Sequence, residues 1–198
     1  MADLERTFFA LVPRKASLDK LARLQSALAE ADTEGVLRLV KRENLHLTLL
    51  FLGNMDTKRQ TTAARILSRQ SAPLSHPAVP SAIIPFPPGN RGRQSPRSLS
   101  LMLGGDSPEI KILHDSLEDA CKSAGFQLEQ RKFRPHITLA YMRKTAQAAH
   151  KKEFIRRIVE TEPRLLGELG AVGWEPPVLY GSKPAKGGSI YRSISISS

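Results

Sequence analysis

The chain holds a single cysteine in 198 residues, Cys121, so an internal disulfide framework is excluded. That cysteine falls in the apolar rhythm Ile110, Leu113, Leu117, Cys121, Ala124 and reads as a small buried hydrophobe. No apolar run approaches the roughly eighteen residues a membrane-spanning helix needs. The opening MADLERTFFALVPRK has only a short apolar stretch, with acidic residues ahead of it and no small-residue cleavage site. No signal peptide or membrane partner is therefore read, and a cytoplasmic location is expected. Aromatics are sparse at 6%, yet 40% of residues are hydrophobic, enough for a real core and too many for a disordered composition. Acidic residues are also in short supply. Nineteen Asp and Glu face thirty Lys and Arg, a formal net charge of +11 spread along the chain. That balance favours an anionic partner without distinguishing RNA from DNA or an acidic surface.

A glycine-rich nucleotide loop is missing too. Gly181-Ser182-Lys183-Pro184 through Gly188 does not fit GxxxxGK[ST] and reads as a flexible hairpin. What the sequence does contain is an alternation of short strands and amphipathic helices. Residues 7–12 read as a buried strand ending at Pro13, followed by a helix capped by Ser17 with Leu18, Leu21, Leu24 and Leu28 on one stripe. Residues 36–40 and 45–52 read as strands, the second broken by Gly53-Asn54. A helix is expected from Asp56 or Thr57, with Thr57 and Gln60 as a capping box. Residues 71–97 are rich in Pro, Gly, Ser and Arg around a short strand at 82–84, with an exposed tip at residues 89–93. Residues 98–103 alternate as a half-buried strand. Ser107, Pro108 and Gly125 bracket the best signalled helix. Strands at 126–128 and 136–142, a helix at 146–160 showing Lys151 to solvent, and strands at 172–180 and 190–196 complete the chain. This order lacks a run of βαβ crossovers, so it predicts an α+β fold with antiparallel sheets.

Two short segments stand out: His46-Leu47-Thr48-Leu49 and His136-Ile137-Thr138-Leu139, 90 residues apart. Their spacing points to two similar halves. In a strand, alternate side chains share a face. His46 and Thr48 therefore lie together, opposite Leu47, Leu49 and Phe51, and His136 and Thr138 lie together opposite Ile137 and Leu139. Facing across a cleft, two imidazoles and two hydroxyls would flank a phosphate, one imidazole taking a proton from water and the other giving one to the leaving oxygen. Imidazole titrates near pH 6.5, so one neutral and one protonated ring coexist near neutrality. No metal or other cofactor is called for, and no third ligand at a useful spacing supports zinc. His76, His114 and His150 read as ordinary structural or surface residues.

With their flanks, residues 43–53 and 133–140, these strands resemble the 2H phosphoesterase superfamily. Within it the resemblance is to the bacterial and archaeal RNA 2',3'-cyclic phosphodiesterases, also called 2'-5' RNA ligases. The opening Arg6-Thr7-Phe8-Phe9-Ala10 is similar to that subfamily's first strand. The resemblance implies a single bilobal domain over 1–198, its two lobes intertwined and related by a pseudo-two-fold. Each lobe would be an antiparallel sheet with helices outside, the active site lying in the central groove. It further implies His46 as proton donor to the leaving 3'-oxygen, His136 as proton acceptor, Thr48 and Thr138 on the phosphate, and a 2'-phosphate product, with reversible 2'-5' RNA ligation open to the same site because acid–base steps run both ways. The implied partner is RNA ending in 2',3'-cyclic phosphate, met by a monomer. Family members often carry Arg directly after the second motif. Here Tyr141 stands there and Arg143 follows two positions on, so Tyr141, Arg143 and Arg134 are the candidate substrate contacts. Phe86 and Tyr180 are the aromatics available for base stacking. Two other readings fit the residues: a 2H enzyme for small cyclic nucleotides or 2'-5'-linked oligonucleotides, and a catalytically idle RNA-binding protein.

Overall fold

A computed structural model of the chain describes residues 4–70, 74–86, 96–104, 108–129, 131–185 and 188–195. The tip at residues 89–93 and the Ser107 cap lie outside them. The strands are β1 (Glu5–Leu11), β2 (Leu37–Leu39), β3 (Leu47–Met55), β4 (Pro80–Phe86), β5 (Ser98–Leu103), β6 (His136–Met142), β7 (Val178–Ala185) and β8 (Gly188–Ser193). The helices are α1 (Lys15–Glu30), α2 (Thr57–Gln70), α3 (Pro108–Ser123) and α4 (Ala148–Leu169). The fold is α+β, and its pairings are all antiparallel.

The strands run in the order β4-β5-β6-β3-β1-β7-β8, with β2 on the other flank of β6. Between β6 and β3 the ladder has one residue pair, Leu47 with Ile137. Two half-sheets thus meet at a seam, one holding each His-x-Thr strand. The helices exchange sides: α2 and α3 pack on the half with β3 and β7, whereas α1 and α4 pack on the half with β2 and β4. Apolar side chains of the helices and of the strand faces beneath them form one buried cluster, including Phe9, Leu21, Leu49, Leu101, Leu117, Ile137 and Phe154. Apolar burial of this kind is the main favourable contribution to folding.

Several local expectations are corrected. Ser17 lies inside α1, where its hydroxyl accepts from the Gly173 amide, and Arg14 occupies the cap position. The strand from Leu47 runs through Gly53-Asn54 to Met55, because Gly53 at φ 84° absorbs an irregularity without ending the pairing with β1. Asp56, whose carboxylate accepts from the Arg59 amide, caps α2; Gln60 turns inward to Glu5 and Thr7 instead of forming a box with Thr57. Residues 126–128 form no strand. The last helix extends past Pro163 to Leu169, and Lys151, expected in solvent, is 7% exposed. Val172 and Trp174 make isolated bridges to Ala78 and Pro13, and the seventh strand begins only after Pro176-Pro177. Cys121 is buried as expected, and burial pushes its thiol up to about 12. No helix among the described residues is long and apolar enough to cross a membrane.

Candidate active site at the seam

The single pair Leu47 and Ile137, both fully buried, fixes the geometry of the seam. In an antiparallel pair, residues on either side of this contact face each other crosswise. His46 therefore lies across from Thr138, and Thr48 across from His136, all on the face opposite the two buried aliphatics. Diagonal neighbours in such a ladder sit roughly 7–8 Å apart, a spacing that leaves room for one phosphate between the rings. The four residues line a common cavity of about 200 Å³.

Both imidazoles are held the same way. His46 Nδ1 lies 2.7 Å from the carbonyl of Asn44, and His136 Nδ1 lies 2.7 Å from that of Arg134, in each case two residues back. A carbonyl only accepts, so Nδ1 carries the hydrogen and Nε2 is the nitrogen left for chemistry. His46 Nε2 is 3.1 Å from the Thr48 hydroxyl. Burial holds the titration of both rings below the usual imidazole range. The bond from Nδ1 to the backbone opposes that effect in each, and in His46 the neighbouring His136 adds to the lowering. Aromatics surround them unequally. His46 contacts Phe8, Tyr180 and Tyr191, whereas His136 stacks on Phe86 at 4.6 Å and 17°.

The alternation assumed from sequence fails at the residue directly after each His-x-Thr. Between β1 and β3 the pairing steps from Ala10 with Thr48 to Phe9 with Leu50, so Leu49 is the extra residue of a bulge. Between β5 and β6 it steps from Ser100 with Thr138 to Leu99 with Ala140, so Leu139 is the extra residue there. A bulge moves every later side chain to the other face. Phe51, expected in the core, is 41% exposed and lines the cavity, as does Tyr141 at 40%. The repeated unit is thus six residues long, His46-Leu-Thr-Leu-Leu-Phe51 and His136-Ile-Thr-Leu-Ala-Tyr141, and Tyr141 is the counterpart of Phe51. A guanidinium covers each ring, Arg6 over Phe51 at 4.6 Å and Arg38 over Tyr141 at 4.9 Å. Each bulge carbonyl is braced by a helix on the far side of the sheet. His114 Nδ1 of α3 donates to Leu49 at 2.8 Å, and Gln25 Nε2 of α1 donates to Leu139 at 2.8 Å and to Val40 at 2.8 Å.

The remaining lining residues arrive by pairing across the sheet. Arg6 and Phe8 alternate on β1; Ser182, opposite Arg6, and Tyr191, opposite Ser182, continue the same face through β7 and β8. Arg6 was visible in sequence only as part of the first strand. Its place in the cavity depends on pairings with residues far along the chain. Among the described residues its guanidinium is in no ion pair, so it is a cation open to an anion. Of the other candidate contacts, Arg134 lines an adjoining cavity that shares His136. Arg143 lines neither, its Nε donating to the Leu37 carbonyl at 3.0 Å. His76 is exposed beside Glu109. His114, with Asp115 and Glu118, makes the one cluster among the described residues with metal-ligand spacing. Its Nδ1 is committed to Leu49, and the carboxylates already pair with Lys111 and Lys122.

Residues 12–165 match the family described as the 2'-5' RNA ligase superfamily. The chain is 27% identical over 177 residues to an Aeropyrum pernix protein named RNA 2',3'-cyclic phosphodiesterase, covering 88% of this chain and 92% of that one. Among solved structures, E. coli LigT crystallised with 3'-AMP superposes with a TM-score of 0.65 at 20% identity, covering 97% of this chain and 96% of LigT. A Thermus thermophilus protein does so at 0.61 and 18%, covering 96% and 95%. The fold is therefore that of the LigT group, and the chain belongs to the 2'-5' RNA ligase superfamily of 2H phosphoesterases.

Proposed function

We propose that this protein hydrolyses the 2',3'-cyclic phosphate at an RNA end to a 2'-phosphate by acid–base catalysis between His46 and His136. The observation that carries this reading is the pair of imidazoles in one cavity, each with Nδ1 tied to a backbone carbonyl so that Nε2 is the nitrogen not held by the backbone. The phosphate sits between them. Thr48 and Thr138 donate to its oxygens, and Arg6 supplies the cation that the Tyr141 position does not. His136 Nε2 takes the proton of the attacking water while a protonated His46 gives its own to the departing 3'-oxygen. The more enclosed ring, bonded to Thr48, is thus the acid, and the ring bordering a second opening is the base. A cyclic phosphate is strained and its leaving group stays tethered, so two proton transfers suffice and no step calls for a metal ion. The similarity to the Aeropyrum pernix phosphodiesterase supports the substrate class. Arg134 and Tyr141 border the two cavities and are the further substrate contacts; Arg143, held by Leu37, plays no part.

The test is incubation of an oligoribonucleotide ending in 2',3'-cyclic phosphate with the protein in EDTA, the product being read by phosphorus NMR. A terminal 2'-phosphate is expected, with turnover falling about 10²–10⁴-fold in His46→Ala and in His136→Ala. Release of a 3'-phosphate, or undiminished turnover in either variant, would overturn the reading.

A further inference from the structure

Buried hydroxyls in a folded chain are nearly always hydrogen-bonded, because an unpartnered one has lost its water without replacement. Among the described residues three buried side-chain atoms lack a partner: Arg157 Nε, Trp174 Nε1 and Ser100 Oγ. Ser100 belongs to the strand pair that carries the second His-x-Thr. It is fully buried on β5 and stands directly opposite Thr138. Its neighbour Leu101 enters the core opposite Ile137, so Ser100 shares the face of Thr138, the face that lines the central cavity. Opposed side chains in an antiparallel pair have Cβ atoms about 4.5–5.5 Å apart, close enough for two hydroxyls to bond once each turns toward the other. The Thr138 hydroxyl itself has no hydrogen bond among the described residues.

The two halves differ at this position. Opposite Thr48 stands Ala10, also fully buried, and Thr48 is already engaged with His46 Nε2 at 3.1 Å. A bulge follows directly in both ladders, so Ala10 and Ser100 occupy equivalent places. A methyl group serves there in one half. In the other, an orphaned hydroxyl destabilises the free protein, and a partner gained on binding accounts for it. We propose that Ser100 is a positioning residue: with phosphate in the cavity its hydroxyl donates to Thr138 Oγ1, while Thr138 donates to a phosphate oxygen. The inference rests on the phosphate position given above. Ser100 itself never touches the substrate. The two bonds point the same way, so each polarises the other. The phosphate oxygens gain negative charge as water adds to phosphorus, and the chain is strongest at that point. Its effect therefore falls on kcat more than on KM.

The test compares Ser100→Ala, Thr138→Val and the double variant on an oligoribonucleotide ending in 2',3'-cyclic phosphate, alongside urea unfolding of each protein without substrate. Ser100→Ala deletes a hydroxyl that has no partner in the free state, so its urea midpoint should lie above that of the wild type. Its kcat should nonetheless fall about threefold to tenfold, the worth of one neutral hydrogen bond, with KM changing by less than about twofold. Thr138→Val keeps the shape of threonine but has no oxygen to receive the bond. In that background Ser100→Ala should leave kcat within about twofold. A serine that acted only through packing would move stability and kcat in the same direction, and by the same factor in both backgrounds. An undiminished kcat in Ser100→Ala, a lowered midpoint, or equal losses in the two backgrounds would overturn the positioning role and leave the proposed hydrolysis standing. No turnover by the wild type would overturn the hydrolysis itself.

Discussion

Each catalytic imidazole is subject to two opposed influences. Removal from water disfavours the charged ring, while the Nδ1 bond to a backbone carbonyl favours it, and in both residues burial is the larger. The native protein therefore binds fewer protons than the unfolded chain between the lowered values and about pH 6.5. Across that window the two rings reduce stability as pH falls. Catalysis follows the same direction. For the free enzyme, kcat/KM requires one neutral and one protonated ring, and both titrations are displaced to the acid side. Its maximum is expected below about pH 6.5, with the two limbs belonging to the coupled pair. Once an anionic phosphate lies between the rings the protonated form is favoured, so the kcat profile should sit at higher pH than that of kcat/KM. Rate measurements on a cyclic mononucleotide across about pH 4.5 to 8.5 check both statements. A kcat/KM maximum at or above about pH 7.5 would contradict the burial argument.

The bulges at Leu49 and Leu139 turn two apolar strands into walls of a site, and the side chains that brace them belong to helices on the other side of the sheet. Gln25 is the clearer case. It is buried, and its amide serves the carbonyls of Val40 and Leu139 at once. Gln25→Leu keeps much of the volume but leaves the Val40 carbonyl without that donor, while the Leu139 carbonyl retains the Val40 amide. A loss of about 1–3 kcal/mol is expected, read as a lower urea midpoint with unchanged slope. Because Leu139 directly follows Thr138, KM for the cyclic phosphate should rise as well, whereas a variant that only loosened the core would leave KM alone. A change within about 0.5 kcal/mol, the usual range for an inert surface site, would show that the bulge needs no brace.

The same elements show what a sequence can disclose. The bounds of the strands at 98–103 and 136–142 were legible to the residue, the first lying between Pro96 and Gly104 and the second following Pro135. The first is buried on both faces and not half-buried, because β4 and β6 flank it and helices cover the sheet. The two histidines were legible as a pair because the motif occurs twice. Phe51 was misplaced because periodicity assumes an unbroken ladder, and nothing in Leu49 announces a bulge. The six-residue match from His46 to Phe51 and from His136 to Tyr141 was the available signal. His114 looked ordinary because its role is defined by a carbonyl 65 residues away. Arg6, Ser182 and Tyr191 enter the cavity through strand pairings that span most of the chain, and no local pattern encodes that order.

At the scale of the molecule, the two half-sheets are joined in the ladder by one residue pair and the site occupies the seam. The chain carries a net charge of +11. Arg6 faces the central cavity, and Arg131, Lys132 and Arg134 rim the second. These cations act differently on short and long substrates. A cyclic mononucleotide brings one phosphate, which meets the two imidazoles and Arg6 at close range, where salt screens weakly. An oligonucleotide brings further phosphates to the rim, where contacts are exposed and each displaces condensed counterions. With about three such contacts, log(kcat/KM) for an oligoribonucleotide ending in cyclic phosphate should fall with log salt at a slope near −2. The mononucleotide should show a slope well short of about −1 under the same conditions. Potassium chloride titrations from about 50 to 500 mM, run on both substrates with one enzyme preparation, separate the two slopes. Equal slopes would mean that the basic rim does not touch the substrate, and the positive charge would then have to be explained by something other than the length of the RNA bound.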